Sequence, residues 1–218
     1  MYLKIIILLL ILLMLYHRIE EKLTIDLSKN KIVIDNNELK LINKKDNAVY
    51  TRFNVNTYET KSKYFNKIFQ NILKDDNKKK ILVLGFGFGG IPLRLSLEKD
   101  IEIIDCVDTD KELYTYFKKL FPNYSTKISL FHMDADTYLK DNMVEYDIII
   151  DDVFDGYDKI ELDYKMLKER LKMNGKLYLN NLFSKKSKTI YNKLKTIFQK
   201  YNNKSIPGSA QSVVIFTK

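Results

Sequence analysis

The chain has one cysteine and two histidines, which excludes an internal disulfide and leaves no paired Cys/His set for a metal. The apolar neighbours of Cys106 mark an inert core thiol, and a single cysteine fits a reducing compartment. No Ser-His-Asp arrangement is readable, and His132, beside a strand end, reads as structural. There is no dense basic block either. The 37 Lys and Arg exceed 28 Asp and Glu to give a net charge of +9, but they are spread as on a solvated face, so nucleic acid is not expected as a partner. No internal repeat and no low-complexity tract interrupt the 218 residues, a length that holds one α/β domain with a small appendage.

No apolar run reaches the roughly 20 residues of a comfortable membrane span. The longest, Ile5 to Tyr16, lies between Lys4 and His17-Arg18, and no small-x-small cleavage site follows it. Residues 1–22 are therefore expected to form an uncleaved hydrophobic anchor helix, with a cleaved signal or a buried helix as alternatives. Arg18, Lys22, Lys29 and Lys31 on its C-terminal side place the domain in the cytoplasm. The expectation is a membrane-anchored protein with residues 23–59 as a small β-rich region and 60–218 as the main domain.

Glycine is scarce too, with seven in all, yet four fall at Gly85, Gly87, Gly89 and Gly90. They follow the apolar run 81–84 and precede an amphipathic segment, so a buried strand delivers a ligand-binding turn to a helix N-terminus. Upstream, alternation of Leu23, Ile25, Leu27, Ile32, Ile34, Leu39 and Leu41 predicts a β-meander. Helical spacing of Tyr64, Phe65, Ile68, Phe69, Ile72 and Leu73 predicts a helix over 60–75 whose aromatics belong to the core. Downstream, strands are predicted at 101–107, 127–131, 146–150, 175–181 and 211–217. Helices fill the intervals, including 158–172 and 184–201. Repeated strand–helix units predict a Rossmann-like, doubly wound, mostly parallel sheet whose strand C-termini share one rim.

Acids stand at three of those ends. Gly85, Gly87 and Gly90 fit G-x-G-x-x-G, and Asp108 lies about 20 residues on, as a ribose-binding carboxylate does. Either a dinucleotide or S-adenosylmethionine satisfies that spacing. Asp134 can accept from an adenine amino group, and Asp152 suits a cationic amine or sulfonium and repels a pyrophosphate, so the rim favours S-adenosylmethionine. Asp110 reads as a helix N-cap, Asp151 as a structural cap and Asp155 as either a turn residue or a second active-site acid.

Residues 81–90, Val107 to Asp110, Met133 to Ala135 with Tyr138-Leu139, Tyr146 to Gly156, and Leu171 to Leu182 resemble the successive motifs of the spermidine synthase-like branch of class I S-adenosylmethionine-dependent methyltransferases. The resemblance implies a seven-stranded sheet with an antiparallel last strand, Gln211 to Thr217. It assigns Gly85, Gly87, Gly89, Gly90, Asp108, Asp134, Ala135 and Asp152 to the cofactor, S-adenosylmethionine or its decarboxylated form. It makes Asp152 the active-site acid, and Asp152-Val153-Phe154-Asp155 has the Asp-x-x-Asp spacing of aminopropyltransferases. Because residues 36–59 lack that group's Gln-containing acidic segment, offering only Tyr50, Tyr58 and Glu59, methyl transfer to an amine or protein acceptor is expected, with aminopropyl transfer and a non-catalytic binding module as alternatives. A small-molecule or protein amine is the expected partner, a homodimer is open, and no metal is expected.

Overall fold

The computed structural model describes residues 22–76, 78–155, 158–182, 185–207 and 211–218. Strands β1 (Leu23–Asp26), β2 (Asn30–Asp35), β3 (Glu38–Asn43) and β4 (Val49–Asn54) pair in sequence order as an antiparallel meander. Asn36 and Asn37 take φ of +50° and +60° between β2 and β3, as a two-residue hairpin of the right twist needs. Helix α1 (Lys63–Ile72) follows, capped by Ser62 and burying Tyr64, Phe65, Ile68, Phe69 and Ile72.

Strand β5 (Lys80–Leu84) begins the main sheet, and α2 (Gly90–Ser96), β6 (Ile103–Asp108), α3 (Lys111–Leu120), β7 (Ile128–His132), α4 (Ala135–Asp141) and β8 (Tyr146–Asp151) continue it. A small hairpin of β9 (Phe154–Asp155) and β10 (Asp158–Lys159) comes next, then α5 (Tyr164–Glu169), β11 (Leu171–Leu182), α6 (Lys185–Ile197), β12 (Lys200–Ser205) and β13 (Gln211–Thr217). The seven strands run in the order β12-β13-β11-β8-β5-β6-β7. β13 is antiparallel to both its neighbours, while β11, β8, β5, β6 and β7 are mutually parallel. The order reverses between β5 and β8, and there a crevice opens beyond the strand ends.

Alternation along β5 decides what lies on each face. Ile81 and Val83 join Phe65, Ile68, Leu113 and Phe117 on the meander side. Leu82 and Leu84 join Leu139, Leu167 and Leu194 on the other. Phe53 of β4 stacks on Phe121 at 5.9 Å, which holds the meander over the crevice. Burial of a fully enclosed ring such as Phe117 stabilises by about 2–3 kcal/mol.

The structure corrects several expectations. The stretch 158–172 is a hairpin strand, a loop and a six-residue helix instead of one helix, because Lys159 is pulled inward (below) and Asp163 caps a new start, accepting from Lys165 N and Met166 N. The helix at 184–201 ends at Ile197, and Lys200–Ser205 forms an edge strand. Its exposed residues carry no apolar alternation to announce it. The membrane-anchored placement is not retained. Among the described residues no helix is long and apolar enough to cross a membrane. The anchor expected over 1–22 lies outside the described residues, save Lys22.

Candidate active site

A cavity of about 810 Å³ lies over the switch point, lined by the glycine turn, the ends of β6, β7, β8 and β11, the β9 strand, and one wall of the meander and α1. β5 ends against Gly85, whose φ of +86° turns the chain away from the sheet while its N–H donates to Val107 O at 2.9 Å. A Cβ at Gly85 would lie 2.5 Å from the carbonyl oxygen of Asp152, so only glycine lets the first and fourth parallel strands end this close. Gly87 is pressed from above, where a Cβ would stand 2.7 Å from Thr51 Oγ1. Gly89 caps α2 with φ +78°, and Gly90 opens that helix.

Asp108 braces this turn. One carboxylate oxygen accepts from Phe86 N at 2.9 Å and Gly87 N at 3.3 Å, and the other accepts from Asp110 N at 3.0 Å. Burial pushes its pKa up, against the pull of these backbone donors. Asp110 is the N-cap of α3, accepting from Glu112 N and Leu113 N. Asp134 is exposed and caps α4, accepting from Thr137 N and Thr137 Oγ1, which holds its carboxyl below the usual range. Ala135 is buried beside it on the cavity wall.

The two acids ending β8 have opposite surroundings, as neighbouring residues of a strand do. Asp151 is fully enclosed, paired with Lys159, which is itself 1% exposed. The Lys159 ammonium also donates to the carbonyls of Asp151 and Val153, each at 3.2 Å, and sits 4.7 Å from the centre of the Phe154 ring. Tyr164 donates to the second Asp151 oxygen at 3.1 Å. Asp151 is thus a buried structural acid that ties the β9–β10 hairpin to the sheet.

Asp152 faces the cavity. The pairing of Leu179 with Asp151 brings Asn180 alongside, and Asn180 Nδ2 donates to Asp152 Oδ1 at 2.6 Å. Burial raises the Asp152 carboxyl to about 6, and Asp151 adds to the rise while Asn180 and the nearby Lys159 charge restrain it. Asp155, on β9, is exposed at the same cavity.

Three further residues escaped the sequence reading. The Tyr64 hydroxyl, Asn180 Oδ1 and Asn30 Oδ1 are buried and line the cavity; the two amide oxygens have no hydrogen-bond partner among the described residues, while the Tyr64 hydroxyl is turned to the Asp152 carboxyl. Such orphans are costly unless a ligand or water completes them. Burial, then the Asp152 charge, raises the Tyr64 phenol. Tyr64 sits on a core row of α1, so its spacing spoke only of packing. Asn180 was findable, since it breaks an apolar strand at its C-terminal end as the acids do.

A family profile for the spermine/spermidine synthase domain matches residues 68–205, more than half of the chain. The chain belongs to the spermine/spermidine synthase family. Similar proteins include a polyamine aminopropyltransferase of Streptococcus uberis, 32% identical over 90 residues that cover 39% of this chain and 32% of the relative. One of Agathobacter rectalis is 36% identical over 84 residues, covering 36% and 30%. The chain thus spans about a third of the length of these curated relatives. Among solved structures, a probable spermidine synthase from Corynebacterium glutamicum aligns with TM-score 0.72 and 14% identity, covering 90% of this chain and 80% of that one. A spermidine synthase in complex with the transition-state analogue AdoDATO aligns with TM-score 0.67 and 16% identity, covering 90% and 73%. These likenesses show a shared fold. Human methyltransferase-like protein 13 shares it at TM-score 0.57 and 19% identity, over 67% of this chain and 74% of that one.

The relatives' names overturn the expected methyltransferase in favour of its aminopropyltransferase alternative. The weighting failed because it sought acceptor carboxylates in residues 36–59, whereas six aspartates reach the cavity from the sheet. Neither these names nor the described helices support the membrane-anchored placement.

Proposed function

We propose that this family member transfers an aminopropyl group from decarboxylated S-adenosylmethionine to an amine. The observation that carries the reading is Asp152, a half-buried carboxyl on an acid-lined cavity wall, raised by burial to about 6. The residues suit this donor. The glycine turn is packed so closely on Asp152, Thr51, Phe117 and Phe53 that its bare backbone, at Gly85, Gly87 and Gly90, lines the cavity. The charged residues of the sheet-derived wall are all acids, to which a cation lacking a carboxylate is complementary. Decarboxylated S-adenosylmethionine supplies a sulfonium-activated aminopropyl chain, so that the new N–C bond forms as the C–S bond breaks and sulfur leaves as a neutral thioether.

The chain's own residues position the partners and handle one proton. Gly85, Gly87 and Gly90 form the cradle for the donor's aminopropyl end, with Gly89 packed behind them on Phe117, Asp108 offers a free lone pair to ribose hydroxyls, and Asp134 with Ala135 borders the adenine. Above pH about 6 Asp152 is ionised and accepts the proton that the acceptor ammonium loses before or as its nitrogen attacks. Asn180 holds that carboxylate in one rotamer, and the Tyr64 hydroxyl, turned to the same carboxyl, borders the place of the incoming nitrogen. Asp155 supplies a second negative charge on the hairpin.

The test is incubation of the full chain with decarboxylated S-adenosylmethionine and a panel of primary amines, reading aminopropylated product by mass spectrometry. Product is expected, and Asp152→Asn is expected to lower its rate by about 10²–10⁴-fold. Absence of product with every amine, together with no calorimetric binding of the donor, refutes the reading.

A further inference from the structure

The last ladder pair of β8 joins Asp151 to Leu179, and residues 152–155 run on past the end of the sheet. All four line the cavity. Asp152 N still donates to Leu84 O at 2.9 Å. Beyond it the chain has only the two residue pairs of the β9–β10 hairpin, Asp155 with Asp158 and Phe154 with Lys159, too few to hold a hairpin in water by themselves. What anchors the segment is one side chain. Lys159 is 1% exposed, is not among the residues that line the cavity, and commits its ammonium to the Asp151 carboxylate and to the carbonyls of Asp151 and Val153, each carbonyl at 3.2 Å. Those carbonyls belong to the residues immediately before and after Asp152, so one cation grips the chain on both sides of that acid. The Ile160 N–H donates to the same Val153 oxygen at 3.2 Å, and the Phe154 ring lies 4.7 Å from the ammonium. An enclosed ion pair adds little net stability, because desolvating both charges offsets their attraction. The bonds that Lys159 makes beyond the pair all serve the segment that carries Asp152 and Asp155.

We infer that Lys159 is a positioning residue for the proposed transfer, holding the 152–155 backbone from behind the cavity wall so that Asp152 and Asp155 face the acceptor amine together. The inference rests on that transfer, since these are its acids. The ammonium also acts on Asp152 through space. The groups that face the Asp152 carboxyl are Asp151 of β8, Lys159 of β10, Asn180 of β11 and Tyr64 of α1. Of the two charges among them, Lys159 has the larger effect and favours the ionised carboxylate, while Asp151 opposes it. Lys159 therefore keeps the proton acceptor ionised as well as in place.

The experiment compares the unaltered full chain with Lys159→Met and with the paired change Lys159→Met and Asp151→Asn, which leaves neither charge orphaned. Each is assayed for transfer from decarboxylated S-adenosylmethionine to 1,4-diaminobutane, for calorimetric binding of 5′-methylthioadenosine, and for the carbon-13 titration of the Asp152 carboxyl. The paired variant is expected to bind 5′-methylthioadenosine within about twofold of the unaltered chain while kcat/KM for the diamine falls about 10–10²-fold. Lys159→Met is expected to move the Asp152 midpoint above 6, which a lysine that merely fills space would not do. Where Lys159→Met does not fold, the paired variant alone decides. A paired variant that transfers at the original rate, or that loses nucleoside binding as much as transfer, overturns the inference, as does an Asp152 midpoint unmoved by Lys159→Met. If the unaltered chain yields no product, the aminopropyl-transfer reading falls. The carboxyl titration and the hydrogen exchange of the Ile160 amide, expected to quicken about tenfold in the paired variant, then still decide whether Lys159 holds this segment.

Discussion

Replacing Asp152 with asparagine should stabilise the fold while removing activity, and the gain should grow with pH. The Asp152 carboxyl titrates at about 6 in the folded protein, against 3.8 for an ordinary aspartate. A carboxyl raised on folding favours the native state below its unfolded pKa, and that contribution is lost as pH rises from about 4 through about 6. The shift then costs the fold about 1–2 kcal/mol at pH 5 and about 3 kcal/mol at pH 7.5 by the linkage relation. Asparagine keeps an oxygen for the Asn180 donor and carries no charge to bury. For a chain of this size, each kcal/mol moves Tm by about 2–4 °C, so Asp152→Asn should melt about 3–6 °C higher at pH 5 and about 6–12 °C higher at pH 7.5. Thermal unfolding of both proteins across that range by circular dichroism is the assay. A difference that is flat with pH, or a variant that melts lower at pH 7.5, refutes the claim that burial of this carboxyl sets its ionisation.

The acid limb of kcat/KM should fall with a midpoint near 6, the value at which Asp152 takes up its proton, and a midpoint at the ordinary carboxylate value counts against Asp152 as the proton acceptor. Gly85→Ala drives a Cβ to 2.5 Å from the Asp152 carbonyl at φ +86°. It should cost roughly 2 kcal/mol or more in chemical unfolding and weaken donor binding. Lys159→Met leaves Asp151 charged, buried and unpaired and should cost about 3–5 kcal/mol. Adding Asp151→Asn should return most of that loss, and a double variant no more stable than the single one disproves the pairing as the cause.

What could be read ahead of the structure followed from periodicity and composition. The apolar run Ile81 to Leu84 and the near-identical burial of Tyr146 to Asp151 mark central strands, because only a strand covered on both faces needs no polar alternation. Asp110 declared itself as a cap by standing one residue before a helical pattern. The edge strand Lys200–Ser205 was illegible because its residues are almost all exposed, leaving too little burial to imprint a pattern. The inward turn of Lys159 was equally hidden, since a lysine in a polar stretch ordinarily reads as solvated, and its partner Asp151 looked like a cap. Asp108, Asp134 and Asp152 were picked out as site residues because carboxylates at successive parallel strand ends converge on one rim. Tyr64, whose ring belongs to the core while its hydroxyl belongs to the cavity, shows how one side chain can carry two messages of which periodicity transmits only the first.

The adjacent acids that end β8 differ in freedom more than in chemistry. Asp151 is locked in place by an enclosed ammonium and the Tyr164 hydroxyl, and Asp152, one peptide unit on, has a charge that can come and go near pH 6. Which is which depends on strand phase alone. A single-residue deletion in the loop before Tyr146 that shifted β8 by one position would set Asp152 against Lys159 and leave Val153 at the cavity in its place. The length of that loop is therefore a coding constraint on this fold as strict as the identity of either aspartate.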